Sequence, residues 1–238
     1  MIKAGANVNQ ADNYGRAALY MAALRDKKDL ARLYLKHGAK LDARASWKGD
    51  ETAIHVAAEH GHNAVLMVLF EYGADPNTMN YAGDTPLHLA AWAKHPETVR
   101  LLLSHGANIR LKGRWGRTAL NGIGETGKGP PGSYLSVVKC LVAAGLDPNT
   151  TEKGGGTPLM DASACGATDV VEYLLQHGAR VDAVTKDGFT ALIDAAFKGH
   201  EDVVKQLLAH GADKRKVDNE GKTARDTAIA RGHGDLGL

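Results

Sequence analysis

The sequence predicts an all-α solenoid of stacked helix–turn–helix units, and two recurrent words on one spacing predict it. The first word is fullest at Gly83-Asp84-Thr85-Pro86-Leu87-His88-Leu89-Ala90-Ala91, with related copies beginning at Ala17, Thr52, Thr118, Thr157, Thr190 and Thr223. The second word, Gly-Ala or a close variant, stands at Gly5, Gly38, Gly73, Gly106, Gly145, Gly178 and Gly211. Its copies are 33, 35, 33, 39, 33 and 33 residues apart. Self-similarity on such a period marks units that bury their apolar faces only against neighbours. All 238 residues are therefore read as a single domain without an internal boundary. Its parts are a partial unit 1–11, repeats 12–44, 45–79, 80–112, 113–151, 152–184 and 185–217, and a partial unit 218–238.

Residues 80–112 show why each element forms. Asn80 to Asp84 make a tight turn, in which Gly83 supplies a backbone conformation that other residues resist. Thr85 caps the first helix, and Pro86 takes its first position, where a missing N–H costs nothing. Leu87, Ala90 and Ala91 keep that helix thin, so adjacent repeats can approach closely. The second helix runs from about Pro96 to Ser104 with Val99, Leu102 and Leu103 at core spacing. Gly106 ends it in the left-handed cap that favours glycine. The 39-residue repeat places its six extra residues between its two helices. The partial units at the two ends are expected to fray.

The T-P-L-H-x-A word on this period resembles the ankyrin repeat family, over residues 4 to about 236. That resemblance implies protruding β-turn tips and a concave groove lined by the tips and the first helices. It also implies recognition of partners far more often than chemistry.

Composition removes several other classes. The net charge is +2, from 29 basic and 27 acidic residues, which gives no basic track for a nucleic acid. Cys140 and Cys165 make no disulfide framework and fit a reducing, intracellular and cytoplasmic setting. No apolar stretch is long enough to insert in a membrane. Ten of the 11 histidines fall at framework positions of the repeat, and only His60 does not. The spacing of His55 and His60 is not that of a zinc motif, so no metal or other cofactor is expected. Gly122 to Gly129 satisfies G-x-x-x-x-G-K but lacks the Ser or Thr that a phosphate-binding loop gives to magnesium.

Aromatic residues carry the functional reading. Of 13 aromatics, all three tryptophans (Trp47, Trp92, Trp115) and Tyr14, Tyr81, Phe189 and Phe197 map to tips or exposed first-helix positions. Seven such rings, each able to bury ~150–250 Å², suit an interaction surface. The last unit contributes Asn219, Glu220, Lys222, Ala230 and Arg231 to the same map. The leading expectation is a recognition module that binds a protein or peptide segment, with Trp47, Trp92 and Trp115 as anchors. Arg114 and Arg117 beside Trp115 offer forks for a carboxylate or phosphate. Asp161 and Asp194, at equivalent places one repeat apart, help set register, and His60 lies on the mapped surface. The alternative is a small-molecule site or enzyme, with Asp161 and Asp194 as acid and base and His60 or Cys165 as an auxiliary group.

Overall fold

The computed structural model describes residues 7–46, 49–122, 133–234 and 236–238. The chain divides into two compact units, Met1–Arg114 and Trp115–Leu238. The first unit holds α1 (Ala18–Leu24), α2 (Lys28–Lys36), α3 (Ala53–Glu59), α4 (Asn63–Glu71), α5 (Pro86–Trp92) and α6 (Pro96–Ser104). The second holds α7 (Ser133–Ala143), α8 (Pro158–Ala164), α9 (Thr168–Gln176), α10 (Ala191–Lys198), α11 (Glu201–Ala209) and α12 (Ala224–Ala230). In the first unit the short helices α1, α3 and α5 pack on one another, backed by α2, α4 and α6. In the second, α8, α10 and α12 do the same, backed by α7, α9 and α11. The thinness of the first helices is what permits this: Ala57, Ala58, Ala90, Ala91, Ala195 and Ala196 are fully buried. Ser163 takes the same place in α8, wholly buried, with no hydrogen-bond partner for its hydroxyl. An unsatisfied buried hydroxyl is costly, so Ser163→Ala is expected to raise stability by ~1 kcal/mol. Urea denaturation checks this, and a destabilised variant would contradict it.

Turn tips project from the repeats, and within each unit a backbone bond ties neighbouring described tips. The N–H of Tyr81 donates to the Gly49 carbonyl at 2.9 Å in the first unit. In the second, Lys153 donates to Trp115 and Lys186 to Gly154, both at 2.8 Å, and Asn219 to Asp187 at 3.0 Å. A ladder of asparagines adds a second tie that sequence spacing did not announce. Asn77 accepts from the Asn108 N–H at 2.7 Å and donates to the Gly106 carbonyl at 3.1 Å. Asn9 and Asn149 repeat the pattern with Lys40 and Gly38, and with Arg180 and Gly178.

Three groups of histidine follow from the grammar. Those before the Gly-Ala word turn Nδ1 onto the carbonyl four residues back, as His37 does to Leu33 and His105 to Leu101, both at 2.8 Å. Those opening second helices reach the preceding repeat: His62 meets the Ala23 carbonyl at 2.8 Å and His200 that of Ala164 at 3.1 Å. A Cβ on Gly166 would stand 2.7 Å from the His200 ring, so that position requires glycine. His55 and His88 cap their own helices. The Thr52 N–H donates to His55 Nδ1 at 3.2 Å, and Thr85 does the same to His88. His55 is neutral with its proton on Nε2, which donates to the Asp84 carbonyl at 3.3 Å.

The fourth repeat departs from expectation. Residues 119–122 form a turn where a first helix was expected. Gly122 lies at φ 77°, and its N–H donates to Asp161 Oδ2 at 2.7 Å, so it is not available to the Thr118 carbonyl. Asn121 stands in for the histidine, its Oδ1 accepting from the Thr118 N–H at 3.2 Å and Oγ1 at 2.9 Å. The six-residue insertion and the G-x-x-x-x-G-K stretch beyond Gly122 lie outside the described residues, as do Trp47 and residues 1–6. Among the described residues, no helix is long and apolar enough to cross a membrane.

Candidate partner-binding site

In the second unit, helix α10 begins at Thr190, whose Oγ1 accepts the Ile193 N–H at 3.2 Å. Burial of Leu192, Ile193, Ala195 and Ala196 turns Asp194, Phe197 and Lys198 to the opposite side. One repeat on, the same spacing on α12 presents Thr227, Ala230 and Arg231. The tip before α10 is closed by the Phe189 N–H on Thr185 Oγ1 at 3.0 Å and by Gly188 at φ 81°. A Cβ on Gly188 would come within 2.8 Å of Asp218 Cα, so glycine lets the two tips meet.

Between these elements lies an open cavity of about 490 Å³. Phe189 and Phe197 form its apolar part and Arg231 its helical rim, with Asp187, Asp218 and Lys222 toward the tips. The Arg231 guanidinium carbon stands 3.8 Å from the centre of the Phe197 ring, and Lys198 Nζ stands 5.5 Å from the same ring. Sequence mapping brought both phenylalanines and Arg231 to this surface. It missed Asp218 and Thr227, although they hold the places of Asn80 and Asp194 in their repeat.

Asp194 is largely buried, and that burial, with the Asp161 carboxylate second and Lys198 opposing, pushes its carboxyl up to about 7. Asp161 is anchored by the Gly122 N–H. Cys165, at the end of α8, is exposed.

Trp115 is displayed in an unusual way. Its backbone lies in the left-handed region (φ 57°, ψ 20°), and its side chain is 57% exposed. Arg117 lies 4.9 Å from the indole and is held in turn by Glu152. Glu152 therefore supplies the carboxylate that Arg117 was expected to take from a partner.

The first unit has its own exposed rings. Tyr81 is 86% and Tyr14 53% exposed at their tips. Arg16, paired with Asp12 at 2.7 Å, lies 4.7 Å from the Tyr14 ring. Trp92 is half-buried, tilted against His88 at 5.6 Å. His60 is exposed, with Nδ1 on the Val56 carbonyl at 2.9 Å. The Arg114 side chain is exposed, while its backbone N–H donates to Asp84 at 2.7 Å. Among the described residues, no group of three or more His, Cys, Asp or Glu side chains is placed to hold a metal.

Stacked helix pairs with linked tips and variable exposed side chains define a repeat-array binding scaffold. The chain belongs to the ankyrin repeat family: that family's model, in three-repeat blocks, matches residues 33–113 and 132–218. Ankyrin repeat domains are protein–protein interaction modules. The chain is 34% identical over 197 residues to ankyrin repeat and SOCS box protein 16 of Mus musculus, covering 68% of this chain and 43% of that protein. The crystal structure of the human ASB11 ankyrin repeat domain superposes with a TM-score of 0.79 at 25% identity, over 90% of this chain and 92% of that one. The ankyrin repeat domain of Bcl-3 gives 0.73 at 27% identity, over 93% and 98%.

Proposed function

We propose that this protein recognises a segment of a partner protein with the tips and first-helix faces of its repeats. Trp115 carries the reading. A left-handed backbone costs a non-glycine residue ~1–2 kcal/mol, and an indole that stays more than half exposed recovers little of it through burial. Arg117 and Glu152 nevertheless hold that indole in place. Such strain is a reason to look for function at the residue. Tryptophan, tyrosine and arginine are also the types that dominate binding hot spots. The second unit offers Trp115, Phe189 and Phe197 as contacts, with Asp161 and Asp194 beside them. The first offers Tyr14, Tyr81, Trp92, His60 and Arg114; Trp47 belongs to the same proposed set.

Trp115→Gly separates the two roles of the residue. The variant should fold with unchanged or higher stability, by up to ~1 kcal/mol, because glycine adopts the left-handed conformation freely. It should bind a partner captured by the wild type, then purified, more weakly by ~2 kcal/mol in calorimetry. Equal affinity would remove Trp115 from the interface. A second reading, a small-molecule or catalytic site, is favoured only by Asp194, whose carboxyl exchanges its proton near neutral pH.

A further inference from the structure

Lys222 and Arg231 line the cavity of the second unit, and Lys198 stands beside its Phe197 ring. Glu220 raises the Lys222 ammonium's proton affinity, while Arg231 stands close enough to oppose it. Lys198 shares the Phe197 ring with Arg231. Of the acids around them, Glu220 is paired, while Asp218 and Asp187 keep their charge on the tip side. Glu220 pairs with Lys222 at 2.6 Å, and Asp218 Oδ1 accepts the N–H groups of Glu220 and Lys222 at 2.9 and 3.0 Å. Arg231 and Lys198 have no ion pair among the described residues, whereas Asp187 leaves one open carboxylate on the tip side. The guanidinium rests on the Phe197 ring, which leaves its fork to meet a carboxylate.

We infer that this cavity takes an apolar side chain of the partner protein over Phe189 and Phe197, and that the adjoining residue of that partner is acidic and seats its carboxylate on Arg231 and Lys198. The inference rests on the recognition reading above and adds the chemistry of the segment. A cationic edge beside an apolar pocket, with Asp194 only partly offsetting Lys198, disfavours a basic residue at that edge as it favours an acidic one.

The test uses two capped pentapeptides, Gly-Glu-Phe-Glu-Gly and Gly-Lys-Phe-Lys-Gly, titrated into the full chain and followed by amide NMR shifts. The glutamate peptide should shift Phe189, Phe197 and Arg231 and bind about 10-fold more tightly than the lysine peptide, with an advantage that shrinks as salt rises. Arg231→Gln with Lys198→Gln should abolish the difference while leaving the remaining spectrum unchanged. Equal or tighter binding of the lysine peptide at these residues would overturn the acidic assignment and keep the cavity as a docking point. Shifts at none of these residues with either peptide would overturn the cavity itself.

Discussion

Asp194→Asn should be more stable than the wild type at pH 8 by roughly 2–4 kcal/mol, and about equal to it at pH 4. The carboxyl of Asp194 is raised from 3.8 to about 7 in the folded second unit, chiefly by burial and then by Asp161. A raised acid binds its proton more tightly folded than unfolded. The stability gained from the neutral form is therefore complete below 3.8 and is lost as pH rises from there to about 7. Above that, the folded protein must hold a buried carboxylate facing a second one, with Lys198 as partial relief. Asparagine keeps the shape and carries no charge, so its advantage should grow across that window and then level off. Urea denaturation at pH 4, 6 and 8 measures it. A difference independent of pH would mean that Asp194 is already ionised, and well solvated, throughout.

The repeat was legible because its words are backbone requirements. Thr52, Thr85, Thr157, Thr190 and Thr223 all begin first helices, and the glycines before second helices sit where a Cβ would strike the histidine of the next repeat. Those constraints act between neighbours at fixed sequence distance, so spacing alone exposes them. The fourth repeat shows where spacing misleads. Thr118 carries the opening threonine, yet Asn121-Gly122 follows where the other copies continue with helix formers, and Asp161 captures the Gly122 N–H.

The candidate surface was legible by position and opaque in chemistry. Mapping placed Phe189, Phe197 and Arg231 on one surface, but not the stacking of Arg231 on Phe197, which depends on rotamers across 34 residues of sequence. The commitment of Arg117 had a readable signal. Turn-opening Asp12, Asn80, Thr185 and Asp218 accept N–H groups of their own turns. Glu152, in the corresponding place, is longer and reaches Arg117 in the preceding repeat. Nothing in the order of residues announced the depth of Asp194, because burial is a property of the packed stack.

Acid should weaken the first unit through His55, by about 3 kcal/mol between pH 6.5 and pH 4. Burial lowers this imidazole from 6.5 to about 4, against the opposing pull of the Asp84 and Thr78 carbonyls, and Arg44 adds to the lowering. A depressed histidine binds its proton more readily when unfolded. Stability is therefore complete above 6.5 and is lost as pH falls toward 4. The protein contains its own control for this experiment. Asn121 holds the equivalent place in the fourth repeat, accepts from Thr118 as His55 does from Thr52, and donates to the Thr150 carbonyl at 3.4 Å. His55→Asn should thus preserve the cap, cost no more than ~1 kcal/mol at pH 7.5, and flatten the acid slope of unfolding followed by urea denaturation. A slope left intact would move the acid sensitivity to His95, which burial also lowers against the pull of the Glu59 carbonyl.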